Sequence, residues 1–360
     1  MNYTFHLTEK CNLNCKYCYE KNKGTEELTF QDIKNIMDIE VKNKNKTCGI
    51  TFFGGEPLLK KDLIYETINY AKKLEKENDI KFLYSITTNG TLIDDEFIKT
   101  AKQNNFLIGY SLDGKKETQN QNRLTHDGEE TFNIVSENAK KLIKNIKKLV
   151  AMPVITKNNY MDMTENTKYL FDLGFKSVNC AFDYTADWTD EDLEPLKKEY
   201  QKLANLYYEK SKNGDNFYLL PFDDKISNYV QEKNCNENCK LAVKHVNIGT
   251  NKKIYPCMQY VGNDEFEIGN TTTGIDEKKK NKLRENLIVR EYDVCKECDI
   301  NTRCKHTCGC LNLLTTGNPL TTSPLICETE RMFIEISDKL AEKLYKEKIE
   351  TFYKKEYYEW

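Results

Sequence analysis

The chain has 360 residues, of which 39% are hydrophobic and 31% are charged, so it can form one large domain or a domain with an appendage. The net charge of −3, with Lys and Glu interspersed, offers no basic face for nucleic acid. No stretch approaches the ~18 apolar residues of a membrane span, and residues 1–10 lack the sections of a signal peptide. We therefore expect a cytoplasmic protein that binds neither nucleic acid nor a membrane, with its fourteen cysteines reduced.

A short strand is predicted at the start of the chain, over Tyr3–Leu7, because the residues alternate and are rich in aromatics. Three cysteines follow it with three and then two residues between them: Cys11, Cys15 and Cys18. Thiolates at this spacing can converge on one metal centre and select an iron–sulfur cluster or zinc. Three ligands instead of four would leave one iron open to a substrate or cofactor. A disulfide or an incomplete zinc site is the alternative.

Strands and helices then alternate through the first half of the chain. The predicted strands are Gly49–Phe53, Phe82–Ile86, Leu107–Leu112, Leu149–Ile155 and Ser177–Phe182, and the predicted helices are one capped by Thr29, one from Lys61, and Asp95–Lys102, Thr131–Lys147 and Thr164–Leu173. Six strand–helix steps indicate parallel strands with right-handed crossovers. We predict an α/β fold, an open, partial (β/α)6 barrel similar to a TIM barrel. The cysteine loop would lie at the carboxyl end of the first strand, where barrel enzymes perform their chemistry.

The composition changes after the last predicted barrel strand. Residues Thr189–Lys212 predict a bridging helix with a solvated outer face, and Thr329–Lys348 predict an amphipathic C-terminal helix. Nine of the fourteen cysteines lie between these two helices. The predicted domains are the barrel, 1–185; the helical bridge, 186–234; the cysteine-rich domain, 235–330; and the C-terminal helix, 331–360.

Eight of these later cysteines are spaced as Cys-x3-Cys-x17-Cys, then Cys-x2-Cys-x5-Cys-x3-Cys, and one more after eighteen residues. Two sets of four are what two [4Fe–4S] clusters need, and zinc ribbons are the alternative. Of the remaining cysteines, Cys48 is interpreted as a buried structural residue, whereas Cys180 and Cys310 are candidates to face a substrate. The histidines form no metal pattern, and His245 and His306 are interpreted as ordinary residues.

The three-cysteine loop resembles the signature of the radical S-adenosylmethionine (radical SAM) superfamily, in which an aromatic residue precedes the third cysteine, as Tyr17 does here. The run Gly54, Gly55, Glu56 and Pro57 resembles the superfamily's GGEP element. The resemblance implies that its backbone and Glu56 hold the methionyl ammonium of SAM. Glycines also let a backbone approach a ligand closely, although an ordinary turn is the alternative interpretation.

Two further strand ends carry candidate SAM contacts. The run S-I-T-T-N-G ends the third strand, and its Thr87 and Asn89 suit ribose hydroxyls, with a capped Asn-Gly turn as the alternative. The run G-Y-S-L-D-G contains Ser111, and Arg123 follows twelve residues later. This arrangement resembles the sulfatase-maturating and peptide-modifying branch of the superfamily, which implies that Ser111 contacts the ribose and Arg123 the SAM carboxylate. A surface arginine is the alternative.

The later cysteines resemble the SPASM domain, which carries two auxiliary clusters and so implies three [4Fe–4S] clusters in all. In that family the ligand sets interleave. The resemblance assigns Cys235, Cys239, Cys257 and Cys308 to the inner cluster and Cys295, Cys298, Cys304 and Cys327 to the outer one. One departure is visible: the glycine usual five positions before the third cysteine is Lys252 here, so this turn is expected to be built differently.

The resemblance implies an enzyme in which a 5′-deoxyadenosyl radical, made from SAM at the Cys11, Cys15 and Cys18 cluster, abstracts a hydrogen from a ribosomally made peptide. The sequence around Cys257 resembles thioether-forming (ranthipeptide-type) maturases. In sulfatase-maturating enzymes an aspartate follows the matching cysteine as the base, whereas Met258 stands here and is too weak an acceptor. We therefore expect a thioether cross-link from a substrate cysteine, with Cys310 as a further catalytic candidate. Formylglycine formation, carbon–carbon cross-linking or epimerisation, and a non-catalytic iron–sulfur carrier are the alternatives.

The expected partners are a cysteine-containing precursor peptide and a reductant such as flavodoxin or ferredoxin. Only ten residues precede Cys11, which leaves no room for a fused N-terminal peptide-recognition domain. We therefore expect the leader to bind the barrel, the bridge, the C-terminal helix or a separate protein.

Overall fold

The computed structural model describes residues 1–19, 24–231, 240–287, 293–305 and 308–355. The described residues group into two units. Unit 1 is drawn from Met1–Leu112, Gln119–Leu149 and Lys240–Leu287, and unit 2 from Asp113–Thr118, Val150–Cys239 and Ile288–Trp360. Cys235, Cys239 and His306 lie outside the described residues. The domain boundaries expected from the sequence stay a prediction.

The strands are shorter than most of the helices. The strands are β1 (Asn2–His6), β2 (Thr47–Phe53), β3 (Lys81–Thr88), β4 (Leu107–Tyr110), β5 (Lys148–Ala151), β6 (Val154–Ile155), β7 (Ser177–Asn179), β8 (Ala181–Phe182), β9 (Tyr218–Leu220), β10 (His245–Ile248), β11 (Lys253–Tyr255), β12 (Gly269–Asn270) and β13 (Gly274–Ile275). The helices are α1 (Phe30–Lys42), α2 (Lys61–Glu77), α3 (Asp95–Gln103), α4 (Lys116–Asn122), α5 (Phe132–Asn145), α6 (Met163–Leu173), α7 (Asp190–Lys212), α8 (Phe222–Val230), α9 (Glu277–Leu287), α10 (Asp293–Lys296), α11 (Gly309–Thr316), α12 (Pro324–Lys346) and α13 (Glu350–Lys354). Among the described residues, no helix is long and apolar enough to cross a membrane.

In unit 1, β1, β2, β3 and β4 lie side by side in that order and run parallel. The other edge of β1 pairs in parallel with β10, and β11, β12 and β13 continue the sheet in antiparallel fashion. The sequence did not predict this extension, in which a segment of the predicted cysteine-rich domain pairs with the first barrel strand.

The two faces of the unit 1 sheet differ in chemistry. One face is buried and largely apolar, with Phe5, Phe52, Ile86 and Ile108 in neighbouring strands. The opposite face carries polar side chains beside Phe53, Leu83 and Leu107. We call these polar side chains the polar row: Thr4, His6, Thr51, Ser85, Thr87 and Asn247. Because side chains alternate along a strand, the register that buries the first set places the second on the other face.

In unit 2, β5, β7 and β9 pair in parallel, and β6 pairs with β8. The predicted strand Leu149–Ile155 is therefore two strands, β5 and β6, because Pro153 lies between them and has no N–H to donate to a ladder. The predicted strand Ser177–Phe182 is likewise divided, at Cys180, whose N–H donates to the Leu220 carbonyl at 3.3 Å.

The helices begin where their sequences supply caps. Thr29 and Asp32 form a capping box at α1, and Thr189 and Asp192 form one at α7. Helix α12 begins at Pro324, earlier than predicted, because proline suits the first helical turn. It packs on α7 and α8. The prediction of an α/β fold with a parallel sheet is confirmed.

Candidate functional site

The cysteine loop follows β1 directly, and Cys11, Cys15 and Cys18 are all partly exposed. The Leu13 N–H donates to the Cys11 sulfur at 3.4 Å, and the Asn89 amide donates to it at 3.9 Å. N–H donors of this kind stabilise a thiolate, so the donor set fits a cluster ligand. Every described cysteine lies outside a disulfide.

The loop is held by the backbone around Arg123. The Asn14 N–H donates to the Leu124 carbonyl at 2.8 Å, and the Lys16 N–H donates to the Asn122 carbonyl at 3.0 Å. These hydrogen bonds place two predicted SAM-site elements, the cysteine loop and the segment with Arg123, against each other.

The two glycines of the GGEP element are required by the cysteine loop itself. The Gly55 N–H donates to the Thr8 carbonyl at 2.8 Å, and the Glu56 N–H donates to the Lys10 carbonyl at 2.9 Å. A Cβ on Gly55 would lie 2.2 Å from the Lys10 oxygen, and Gly54 has a φ of +126° with the Thr8 oxygen 2.5 Å from its Cβ position. The two glycines thus allow a close approach by the chain's own backbone at Thr8 and Lys10, whereas the sequence had suggested a close approach to a ligand.

Glu56 joins the ends of two strands. Its carboxylate is 1% exposed and accepts hydrogen bonds from the Leu58 N–H at 3.0 Å, the Thr88 hydroxyl at 2.8 Å and the Asn89 N–H at 2.8 Å. It caps the short 3-10 helix that starts at Pro57. Burial raises the pKa of Glu56 to about 7, although the three donors act to lower it. Its expected contact with SAM stays a prediction.

The turn after β3 also reaches the cysteine loop. The Asn89 amide donates to the Asn12 side chain at 2.8 Å, and Asn12 donates to the Thr91 hydroxyl at 2.8 Å. Thr87 and Ser111 are partly exposed near the same strand ends, with the Ser111 N–H donating to the Thr88 carbonyl at 3.0 Å. The structure therefore gathers the candidate ribose-binding side chains where β3 and β4 end.

Arg123 is 6% exposed, and its guanidinium carbon lies 5.1 Å from the centre of the Tyr17 ring, next to Cys18. This cation–π contact fixes the arginine beside the cysteine loop. A neighbouring contact was missed from the sequence: the His126 ring nitrogen Nε2 lies 2.9 Å from the Cys11 carbonyl oxygen. No motif signalled it, because it depends on how the chain turns after Arg123.

Lys252, which stands where the SPASM pattern usually has a glycine, adopts a backbone conformation typical of glycine. Lys252 has a φ of +66°, in the left-handed region that glycine adopts without strain. Its N–H donates to the Gly249 carbonyl at 2.9 Å, and its ammonium lies 3.6 Å from the Asp32 carboxylate. The turn from β10 to β11 thus has a backbone conformation that favours glycine, with a lysine that forms an ion pair.

The predicted auxiliary ligands fall in both units. Cys257 is in unit 1, directly after β11, and is partly exposed. In unit 2, burial is the main cause that raises the pKa of Cys295, and the charges of Cys327 and Cys298 raise it further. The Arg331 guanidinium donates to the Cys298 sulfur at 3.4 Å.

Cys308 and Cys310 are neighbours in unit 2. The Cys310 thiol hydrogen-bonds the Cys308 sulfur and is the main cause that lowers the pKa of Cys308 to about 6. Cys310 itself is buried, as are Cys48 and Cys180. The Cys180 sulfur lies 3.6 Å from the Thr167 hydroxyl oxygen. Over the described ranges, no three His, Cys, Asp or Glu side chains are arranged as a metal site, so the cluster ligands stay a prediction.

The radical SAM superfamily model matches residues 5–170. A cysteine-type anaerobic sulfatase-maturating enzyme of Clostridium novyi is 30% identical over 359 residues, covering 91% of this chain and 92% of the relative. Native anSMEcpe solved with AdoMet and the Kp18Cys peptide superposes with a TM-score of 0.81 at 23% identity, covering 95% of this chain and 98% of that one. Streptococcus suis SuiB bound to the precursor peptide SuiA superposes with a TM-score of 0.64 at 17% identity, covering 91% and 75%.

A parallel α/β sheet with a three-cysteine loop after its first strand defines the class, and the chain belongs to the radical SAM superfamily. It is a SAM-dependent modifying enzyme, and it is similar over most of its length to the anaerobic sulfatase-maturating enzymes. The resemblances to the radical SAM superfamily and to its sulfatase-maturating branch are therefore confirmed.

Proposed function

We propose that this enzyme is a peptide maturase that forms a thioether from a cysteine of a ribosomally made peptide. The support for a peptide substrate is that two structures with the same fold, anSMEcpe and SuiB, were solved with peptides bound. The support for the finer proposal is the residue after Cys257.

The SAM site is proposed from the network around the cysteine loop. Cys11, Cys15 and Cys18 hold the cluster, Arg123 pairs with the SAM carboxylate through its planar fork, and Asn89 faces the ribose. When bound, cluster and SAM supply the one-electron cleavage that yields methionine and a 5′-deoxyadenosyl radical. Tyr17 holds Arg123 in place, because the 5.1 Å contact leaves the guanidinium little freedom.

The observation that carries the thioether proposal is the absence of a carboxylate directly after Cys257, where Met258 and Gln259 stand. Neither side chain is a base near neutral pH. The next acid along this segment, Asp264, is engaged: it pairs with Lys253 at 2.7 Å, which lowers its pKa, and accepts from the Tyr255 hydroxyl at 3.3 Å. A substrate thiol bound to a cluster iron would already be a thiolate and would need no such base.

Formylglycine formation in a sulfatase is the second candidate. It is favoured by the 30% identity to the cysteine-type sulfatase-maturating enzyme of Clostridium novyi. Both reactions start from a substrate cysteine and remove two electrons, so one assay on a cysteine-containing peptide separates them. Carbon–carbon cross-linking or epimerisation would leave every thiol in place.

The assay follows the substrate peptide by mass and by thiol alkylation. A thioether product should be lighter by two hydrogens per link and should lose one alkylatable thiol for each. An aldehyde that reacts with hydrazine reagents would support formylglycine formation instead, and a product that keeps every thiol would contradict both cysteine reactions. Protein in which Cys11, Cys15 and Cys18 are all changed to Ala is the matched control, with no product expected.

Three [4Fe–4S] clusters are proposed from three plus eight cysteines, so reconstituted protein should bind about twelve irons. The variant with Ala at Cys11, Cys15 and Cys18 should retain about eight and should not cleave SAM. Fully active wild-type protein that saturates near four irons would contradict the auxiliary clusters. A reductant such as flavodoxin or ferredoxin, and a leader-binding surface or protein, complete the proposed partners.

A further inference from the structure

One member of the polar row, Asn247 on β10, differs from its neighbours. In this row the Thr51 and Ser85 hydroxyls lie 2.6 Å apart and satisfy each other, and the Thr4 hydroxyl lies 2.9 Å from Nε2 of His245. Asn247 lies opposite Thr4 in the β1–β10 pairing, so its side chain points to the same face.

Asn247 is 1% exposed, and neither its amide nitrogen nor its amide oxygen has a hydrogen-bond partner in the described part of the chain. A buried carboxamide without partners costs stability, whereas leucine has a similar size and needs none. The neighbouring row members Thr51, Ser85 and Thr87 are partly exposed. The row is thus accessible at these three residues, whereas Thr4, His6 and Asn247 are buried beside them, and Asn247 contributes an unused donor and an unused acceptor at this buried end.

The position of Asn247 points to the substrate and not to SAM. Thr51 and Ser85, at its level in the sheet, lie four residues before Gly55 and Asn89 of the proposed SAM site. Four residues of strand span about 13 Å, so Asn247 lies well away from the strand ends, and the candidate ribose contact Thr87 lies two residues nearer to them on β3. An extended peptide entering the polar row from the reacting centre would reach it.

We propose that Asn247 is a positioning residue for the peptide substrate, whose carboxamide pairs with a main-chain amide of the peptide through one donated and one accepted hydrogen bond. This inference rests on the proposed function and deepens it. A main-chain contact orients the peptide and leaves its side chains free, which suits an enzyme that must hold one residue near the radical while others vary.

The test compares wild-type protein with Asn247→Leu and Asn247→Gln, all loaded with clusters. In Asn247→Leu, the KM for the cysteine-containing peptide should rise about tenfold and more SAM should be cleaved per product, because two hydrogen bonds to the peptide are lost. SAM cleavage without peptide and the iron content should be unchanged. Asn247→Gln keeps the carboxamide and should recover part of the coupling.

Stability provides a second readout that needs no peptide. The urea midpoint of Asn247→Leu should equal or exceed that of wild type, since an unsatisfied amide is removed. A lower midpoint would mean that the amide is satisfied in the free protein, by ordered water, and would overturn the inference, as would an unchanged peptide KM and coupling. If wild-type protein modifies no peptide, the proposed function fails, and the stability comparison still decides whether Asn247 carries an unused amide.

Discussion

Substitution of Gly55 by Ala tests how the GGEP element supports the cysteine loop. The added Cβ would lie 2.2 Å from the Lys10 oxygen, 2.5 Å from the Lys10 carbonyl carbon and 2.7 Å from the Glu9 oxygen. All three are backbone atoms, so no side chain can rotate away. The loop start must move, and Lys10 directly precedes Cys11.

The expected cost follows from the contacts that the movement breaks. The hydrogen bonds from the Gly55 and Glu56 N–H groups to Thr8 and Lys10 would be lost or lengthened, at about 1 kcal/mol each. Overpacking adds about 1–3 kcal/mol. We expect Gly55→Ala to lower the free energy of unfolding by about 3–5 kcal/mol, and SAM cleavage to fall with it because Cys11 is displaced.

Urea unfolding of cluster-loaded protein measures the cost, with Gly128→Ala as the matched control. Gly128 has a φ of +82° and nothing within 4 Å of its Cβ position, so its substitution reports backbone strain alone, about 1 kcal/mol. If Gly55→Ala destabilises no more than Gly128→Ala, or leaves SAM cleavage intact, the glycines do not serve the loop and the reasoning is refuted.

Arg123→Ala should lower the affinity for SAM about tenfold or more, because a charge-assisted pair contributes roughly 1.5–3 kcal/mol. Arg123→Lys should have an intermediate affinity, since it keeps the charge but loses the planar fork. If equilibrium binding shows an unchanged affinity in Arg123→Ala, Arg123 is not part of the SAM site. Glu56 sets a pH dependence, because burial raises its pKa from 4.5 to about 7. Between pH 4.5 and 7 the carboxyl group is deprotonated in the unfolded chain but still protonated in the folded protein. The free energy of unfolding of wild type, relative to that of Glu56→Gln, should therefore be highest below pH 4.5 and fall by about 3 kcal/mol as the pH rises to 7. Urea unfolding of both proteins at a series of pH values measures this difference. A constant difference between the two proteins would show that folding does not raise the pKa of Glu56.

The sequence by itself determined what depends on local spacing. The three cysteines with Tyr17 before the third, the GGEP run and the later cysteine sets are contiguous patterns, and they led to the superfamily before any contact was known. The alternation of strands and helices led to the α/β class for the same reason, since each period is a property of one segment. Its limit appeared at Pro153, where an apolar run that looked continuous is two strands.

The tertiary structure decided what depends on residues far apart in the chain. Thr4 and His245 are 241 residues apart, and no periodicity in either segment indicates that β10 pairs with β1. That pairing also places Asn247 on the polar row, where its lack of a partner becomes visible. The role of Gly55 likewise depends on the position of the Lys10 carbonyl. The physical reason is that steric exclusion and hydrogen-bond satisfaction are properties of atoms in contact, and register between distant strands is set only when their buried faces pack together.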